Sequence, residues 1–475
     1  MNRTLTLLLF IPFLFAYRVS ATHIAGGQIF YKNLNSLTVE ITFVGYRDQN
    51  GVPFGLGVFD FGDGDVYGDE TDEVLPWANI KDLGGGLEKW EFTLVHTYSN
   101  PGYYEVSYTE DFRKSNSNNI EGSVNNSFHV DALVSLDPFL NGNTSPGNDF
   151  FPSFRAVSGH KNIFNLSMFD EDGDSLSYKI GIPLKGDGLN VDGYRSPADL
   201  SFYESGSASP VFELEPFSGN LIWDAPGEPG EYSMAIKTEE WRKVDGKFLR
   251  IGYTVLDFIV EVVKADSFHN VVVPMTNCRS AQESYTDQII IENSSQAALS
   301  IRFSTGMSAL TFNGQSATEW NESNIDTKFS DAIITIDVEM NLEEASNYTG
   351  LNAVYVQVSG DYFVMDSSER NLSTTTGFMI GFDCSPDELI LSASGEIAEL
   401  PFFSITQQQI RLHSNFDSDS HLKLYDVKGN LLFDADVALS QGNQSIPFNF
   451  EFNTPYIIVL AHKKGILTEK FLLTK

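Results

Sequence analysis

Apolar residues recur at every second position along most of the chain. In the stretch 298–305, Leu299, Ile301 and Phe303 fall on one side and Ser300, Arg302 and Ser304 on the other. Leu176, Tyr178, Ile180 and Ile182 form a second inward row, alternating with Ser177, Lys179 and Gly181. Tyr104, Val106 and Tyr108 make another, as do Leu256, Phe258, Val260 and Val262, and Ile334, Ile336, Val338 and Met340. A period of two places alternate side chains on opposite faces, which predicts half-buried antiparallel strands. No amphipathic helix longer than about three turns is visible. The expected fold class is all-β, with tandem Ig-like β-sandwich domains.

Polar and turn-rich stretches divide the strands into units. The first runs over 22–130. The segment NGNTSPGND near 141–149 leads into the second, over 131–264. A third spans 265–385, and a Ser/Glu/Gly-containing link precedes the last, 400–475. Residues 1–21 read as a secretory signal. Arg3 precedes an apolar run from Leu5 to Ala16, and small residues place the cut between Ala21 and Thr22. That run is too short to span a bilayer, and no later stretch approaches the length. The mature chain is therefore expected without a transmembrane segment.

The composition narrows the partners. There are 64 Asp+Glu against 30 Lys+Arg, and the signal holds Arg3 and Arg18 but no acid. Such a surface repels nucleic acid and anionic membrane. Cys278 and Cys384 are the only cysteines. In an exported chain an even count favours a disulfide, with two buried thiols as the alternative. Closing a loop of this length is worth about 4–5 kcal/mol in the chain-entropy model. Cys384 shares parity with Phe378, Ile380 and Phe382, so it should point inward with them.

The densest acidic stretch, 59–70, reads FDFGDGDVYGDE. Phe59 and Phe61 alternate with Asp60 as a strand end, and Gly62-Asp63-Gly64-Asp65 supplies a tight turn. HTYSNPGYYEV follows at 96–106. Together the two signatures resemble the PKD domain, an Ig-like sandwich of exported and surface proteins. Asp60, Asp63 and Asp65 are candidate calcium ligands, beside the plain-turn reading.

A second acidic stretch, 169–178, reads FDEDGDSLSY. Asp170, Asp172 and Asp174 have a spacing that can wrap oxygens around calcium. An EF-hand is excluded, because glycine sits at the fourth position and the twelfth is Gly181. The stretch resembles the D-x-D-G-D-x-L-x-Y segment of bacterial cadherin-like repeats, which implies a strand-opening turn with calcium as its candidate cofactor. Residues 22–264 as a whole, opening on Thr22-His23-Ile24-Ala25-Gly26-Gly27, resemble the N-terminal region of gliding-motility-associated exported proteins.

The tail carries Leu424-Tyr425-Asp426-Val427-Lys428-Gly429, then Pro455-Tyr456-Ile457, then Glu469-Lys470-Phe471. This order resembles the type A C-terminal sorting domain of type IX secretion substrates, with Tyr425, Asp426, Gly429, Tyr456 and Lys470 at the motif positions. The usual Y-P-N-P opener is absent, and Thr454 stands where the family has Gly. The resemblance implies export by the type IX machinery and attachment to the outer-membrane surface.

These readings point to an exported, non-enzymatic cell-surface protein whose work is adhesion or structure, toward a glycan or other surface ligand. Residues 265–385 are the expected ligand-bearing unit. The alternative is a secreted polysaccharide-binding module or polysaccharide-degrading enzyme. Glu239, Glu240 and Asp224 are the acids such catalysis would draw on. No G-x-S-x-G, H-E-x-x-H or phosphate-binding glycine loop is present. The triplets at Asn165, Asn293, Asn321, Asn347 and Asn371 would be glycan acceptors only in a eukaryotic secretory route.

Overall fold

The computed structural model describes residues 24–382 and 402–472, less internal stretches of which the longest are 69–74, 148–154, 317–331 and 344–349. The expected signal cut at Ala21 and Thr22, and Cys384 and Gly429, lie outside the described residues. Among the described residues the elements are β-strands and three short 3₁₀ turns. The all-β class is therefore as the alternation predicted. No helix among them is long and apolar enough to cross a membrane.

Eight strands build the first core: β1 (Ile24–Asn33), β2 (Thr38–Asp48), β3 (Val58–Asp60), β4 (Val66–Gly68), β5 (Ala78–Gly84), β6 (Leu87–Thr97), β7 (Tyr103–Glu110) and β8 (Phe128–Ser135). The second unit holds β9 (Arg155–Val157), β10 (Lys161–Asn165), β11 (Ser175–Gly181), β12 (Leu184–Lys185), β13 (Leu189–Asn190), β14 (Val211–Leu214), β15 (Asn220–Asp224), β16 (Gly230–Val244) and β17 (Lys247–Val263). One fourteen-stranded sheet runs through both, along the path β4-β3-β7-β8-β17-β1-β2-β6-β5. It folds over on itself: Phe43 of β2 meets Tyr108 of β7 at 4.1 Å between ring centroids.

The seam is β17. It pairs with β1 through Gly26↔Phe258 and Gly27↔Asp257, and with β8 through Tyr253↔Leu133 and Thr254↔Ala132. The division expected at 130/131 thus falls inside β8, and hydrogen bonding is continuous across it. Both glycines of the leading motif have steric reasons. A Cβ on Gly26 would lie 2.5 Å from the Asp257 carbonyl oxygen, and one on Gly27 would meet Phe43 and Phe128 at 2.9–3.0 Å.

The second core packs the three-stranded sheet β10-β15-β14 on the β16–β17 hairpin. Trp223 meets Tyr232 there at 5.1 Å. Leu256, Phe258, Val260 and Val262 are all buried, as their row predicted. The row on β11 is not uniform. Tyr178 is buried, but Ile180 and Ile182 are 43% and 40% exposed. β11 is an edge strand whose neighbour is β16, and the Trp241 indole folds over the Ser177 side, donating to Ser177 Oγ at 2.9 Å. Burial therefore ends along the row: Ser177 and Tyr178 are covered on either face, whereas Ile180 and Ile182 beyond them are not.

The third unit is a sandwich of β18-β20-β24-β22-β23 against β19-β26-β25-β21. Its strands are β18 (His269–Val272), β19 (Asn277–Arg279), β20 (Tyr285–Asn293), β21 (Leu299–Thr305), β22 (Thr311–Phe312), β23 (Gln315–Ser316), β24 (Ile333–Met340), β25 (Gly350–Phe363) and β26 (Glu369–Phe382). The rows at 299–303 and 334–340 fill its core, with Phe378, Ile380 and Phe382. β19 lies parallel to β26, with Cys278 opposite Gly381. The fourth unit joins β27 (Phe402–Thr406), β28 (Gln409–Ser414) and β31 (Gly442–Pro447) in one sheet. The other holds β30 (Leu431–Leu439), β29 (Ser418–Asp426), β32 (Pro455–His462) and β33 (Gly465–Leu472) in that order.

Units two and three meet through a buried polar bond set. Asn220 Nδ2 donates to the Gly377 carbonyl at 2.7 Å, and Gly377 N donates to Asn220 Oδ1 at 2.9 Å. The side-chain amide thus acts as a one-residue strand against β26. Asn165 Nδ2 donates to Asn220 Oδ1 at 2.8 Å, and Asn165 N to Thr375 Oγ1 at 3.1 Å.

Candidate functional site

The acids at 170–174 form a side-chain-capped turn. Asp170 Oδ1 accepts the backbone N–H of both Asp172 and Asp174, each at 2.9 Å. Gly173 has φ 79°, a left-handed conformation that glycine adopts without steric cost. The turn is pinned to loop 140–147. Gly147 bridges to Phe169, Thr144 N donates to Asp172 Oδ2 at 2.6 Å, and Lys32 approaches Glu171 at 3.5 Å on the exposed rim.

Arg242 of β16 supplies the positive charge. Its Nε donates to Asp174 Oδ1 at 2.7 Å and its Nη2 to Asp174 Oδ2, a two-pronged ion pair. Nη2 also reaches Asn143 Oδ1 at 2.9 Å, while Nη1 donates to the carbonyls of Leu140 and of Gly142, the latter at 2.8 Å.

Behind the turn lies Glu240, fully buried. Asn143 Nδ2 donates to its Oε1 at 2.9 Å, and Tyr31 Oη to its Oε2 at 3.4 Å. Burial first, then the facing charges of Asp170 and Asp174, push its pKa well above the carboxylate range. Asp170 is itself pushed up to about 6, chiefly by burial. Asp170 Oδ2 is buried without a hydrogen-bond partner, and the charge of Asp170 adds to the upward push on Glu240.

Glu239, its neighbour, is equally buried but ionised. Burial opposes its charge, yet Arg250 and then Lys179 hold its pKa below the usual value; the contacts are 3.1 and 3.0 Å. With both side chains at 0% exposure, Glu239 and Glu240 do not meet a polysaccharide. A bulge between Glu240 and Trp241 shifts the register of β16 there.

The first acidic stretch is a hairpin turn between β3 and β4, with Asp60 opposite Val66. Asp60 Oδ1 accepts Gly62 N at 2.7 Å, and Asp63 Oδ1 accepts Asp65 N at 3.1 Å. His96 Nε2 lies 2.8 Å from Asp63 Oδ2, and its ring stacks on Phe61 at 4.1 Å. Here the donor atoms that converge within 4.8 Å are those of Asp63, Asp65 and His96, not Asp60, whereas in the 170–174 turn the expected set Asp170, Asp172 and Asp174 does converge. His96 was in view in the HTY signature, but no local pattern ties it to a turn 33 residues earlier.

In the last unit, Tyr425 lies opposite Ile457, and Ile457 opposite Lys470; Asp426 lies opposite Tyr456. The described motif positions therefore share three adjacent strands. Among the sequons, Asn165 and Asn293 are buried, at 5% and 0% exposure, which removes both as glycan acceptors in the folded chain. Asn371 is exposed on β26, and Asn321 and Asn347 lie outside the described residues.

No family model matches the chain, and no curated protein does. Among solved structures, mouse protocadherin-24 EC1-3 is similar over 64% of this chain and 89% of that one, at 10% identity and a TM-score of 0.14. The N-terminal four Ig domains of Dscam1 isoform 8.4 match over 94% of this chain and 98% of that one, at 10% identity and 0.16. Trypsin-activated alpha-2-macroglobulin from Escherichia coli matches over 95% of this chain and 30% of its own length, at 11% identity and 0.16.

Proposed function

We propose that the chain is an exported, non-enzymatic surface protein, delivered through type IX secretion, whose sandwiches present an adhesive surface to a glycan or other surface ligand. One observation carries the reading: the acids that stand out in the sequence are spent on structure. Glu239 and Glu240 are buried, Asp174 is held by Arg242, and Asp60 and Asp170 cap turns. A β-scaffold whose acids stabilise junctions suits a load-bearing surface protein better than a hydrolase.

The adhesive face is assigned to the third unit. There the sheet β18-β20-β24 turns Val272, Ile290 and Ile333 outward, at 46%, 36% and 66% exposure. Val272 pairs with Ile290, and Ile333 lies on the next strand beside Glu292. Three aliphatics on neighbouring strands, set among acids, make a mixed surface of the kind binding faces use.

The export reading is tested by expressing the full chain in a type IX-proficient host, with and without residues 400–475. Surface display should require the tail, and intact-mass analysis of the displayed protein should find it removed. Display of the truncated chain would sink this route. The adhesive reading is tested by glycan and surface-adhesion panels on displayed wild-type and Ile290→Asp chains. Equal adhesion by both would remove the face, and release of reducing sugar from a polysaccharide would favour the catalytic alternative.

A further inference from the structure

The guanidinium of Arg242 is surrounded by oxygen. Its acceptors are both carboxylate oxygens of Asp174, the amide oxygen of Asn143 and the carbonyls of Leu140 and Gly142. Asp172 Oδ2 lies 3.8 Å away as a further negative neighbour. Carboxylates, an amide oxygen and backbone carbonyls are the donor set that a hard divalent cation takes. They come from the loop before the turn and from the turn itself, and β16 delivers the arginine between them.

Calcium fits this turn poorly as folded. Both oxygens of Asp174 are committed to Arg242, Asp172 Oδ2 accepts Thr144 N, and Asp170 Oδ1 accepts two backbone N–H groups. A cation needing six to eight oxygens would have to displace the arginine.

We propose that Arg242 is the resident cation of the 170–174 turn: its guanidinium fills an all-oxygen cage and locks loop 140–143 to the turn, so the junction between the first two sandwiches holds without a divalent ion. The loop in turn reaches β1, through Asn33 N to the Asn143 carbonyl and Ser145 N to the Tyr31 carbonyl. The rigid fork suits the site because its five N–H donors meet five acceptors at once, where a lysine has only three donors. The assignment stands independently of adhesion and of the export route.

The test uses the full chain carrying Asp63→Asn and Asp65→Asn, so that the other acidic turn is silent. Its melting temperature should be the same in millimolar calcium and in chelator. Arg242→Ala in that background should melt lower in chelator, and calcium, but not potassium, should recover much of the loss by entering the emptied cage. Calorimetric titration of the parent with calcium should give no binding heat that Asp172→Asn removes. That measurement decides the question even if Arg242→Ala does not fold. A calcium-raised melting temperature in the parent that Asp172→Asn abolishes would overturn the proposal. So would a folded Arg242→Ala chain that calcium leaves unchanged.

Discussion

Arg113 closes a two-pronged ion pair on Asp257, with Nη1 to Oδ1 at 3.0 Å and Nη2 to Oδ2 at 2.5 Å. The side chains are 4% and 1% exposed. Arg113 also donates to the carbonyls of Ser127 and Leu184, and its guanidinium lies over Phe128. One cation therefore ties the loop after β7 to the seam strand β17. Burial raises the Asp257 pKa, against the pull of Arg113, so the carboxylate depends on its partner. Arg113→Met leaves a buried charge unpaired, and should cost about 3–5 kcal/mol in denaturant unfolding. The double variant Arg113→Met/Asp257→Leu should recover much of that loss.

The approach of β1 to β17 makes a second expectation. Gly26→Ala pushes a methyl into the Asp257 carbonyl and should cost at least about 1–3 kcal/mol. A Cβ on Gly55 would have nothing within 4 Å, and its φ is not positive. Gly55→Ala should therefore stay within about 0.5–1 kcal/mol of wild type. Urea midpoints of the two variants check the contrast.

At the contact between units two and three, Asn220→Ala strips partners from both polar groups of Gly377 and from Asn165. The expected cost is about 1–3 kcal/mol for each group left buried and unsatisfied. Hydrogen exchange at the Gly377 amide should accelerate while that of Phe303, in the far core, does not.

His269 gives the pH dependence. It is buried against Tyr362, with Nδ1 2.7 Å from the phenol oxygen, and burial lowers its pKa from 6.5 to about 3. Below about 6.5 the unfolded chain takes up a proton that the folded chain refuses until about 3. This residue's contribution to stability is complete above 6.5 and is lost as pH falls, by at most about 1.4 kcal/mol per pH unit. His269→Phe should flatten the acid side of a stability–pH curve between 6.5 and 4. An unchanged slope would assign the acid sensitivity to other groups.

Much of the fold was legible because alternation is local. Leu299, Ile301 and Phe303 needed only their neighbours in sequence to be placed inside. Ile180 and Ile182 were misjudged because alternation does not say how far along an edge strand the covering layer reaches. The acidic turns were visible as turns, since Asp-Gly chemistry is also local. Their partners were not. Arg242 lies 68 residues from Asp174, and its role depends on a β16 register that only the folded sheet fixes. Glu240 was noticed as an acid, but its raised pKa follows from burial and from the facing charges of Asp170 and Asp174, which the folded sheet brings to it from far along the chain. The pairing of Cys278 with Cys384 is a proposal that falls on a residue beyond those described.

The β17 seam bears on how such a chain can be cut and recombined. Residues 22–130 taken alone would lack β17 and most of β8, baring the edge of β1 ready to pair with another molecule. The first two sandwiches are thus a single heritable piece, unsuited to shuffling between genes, and any recombinant fragment should run at least to Val263 to stay soluble.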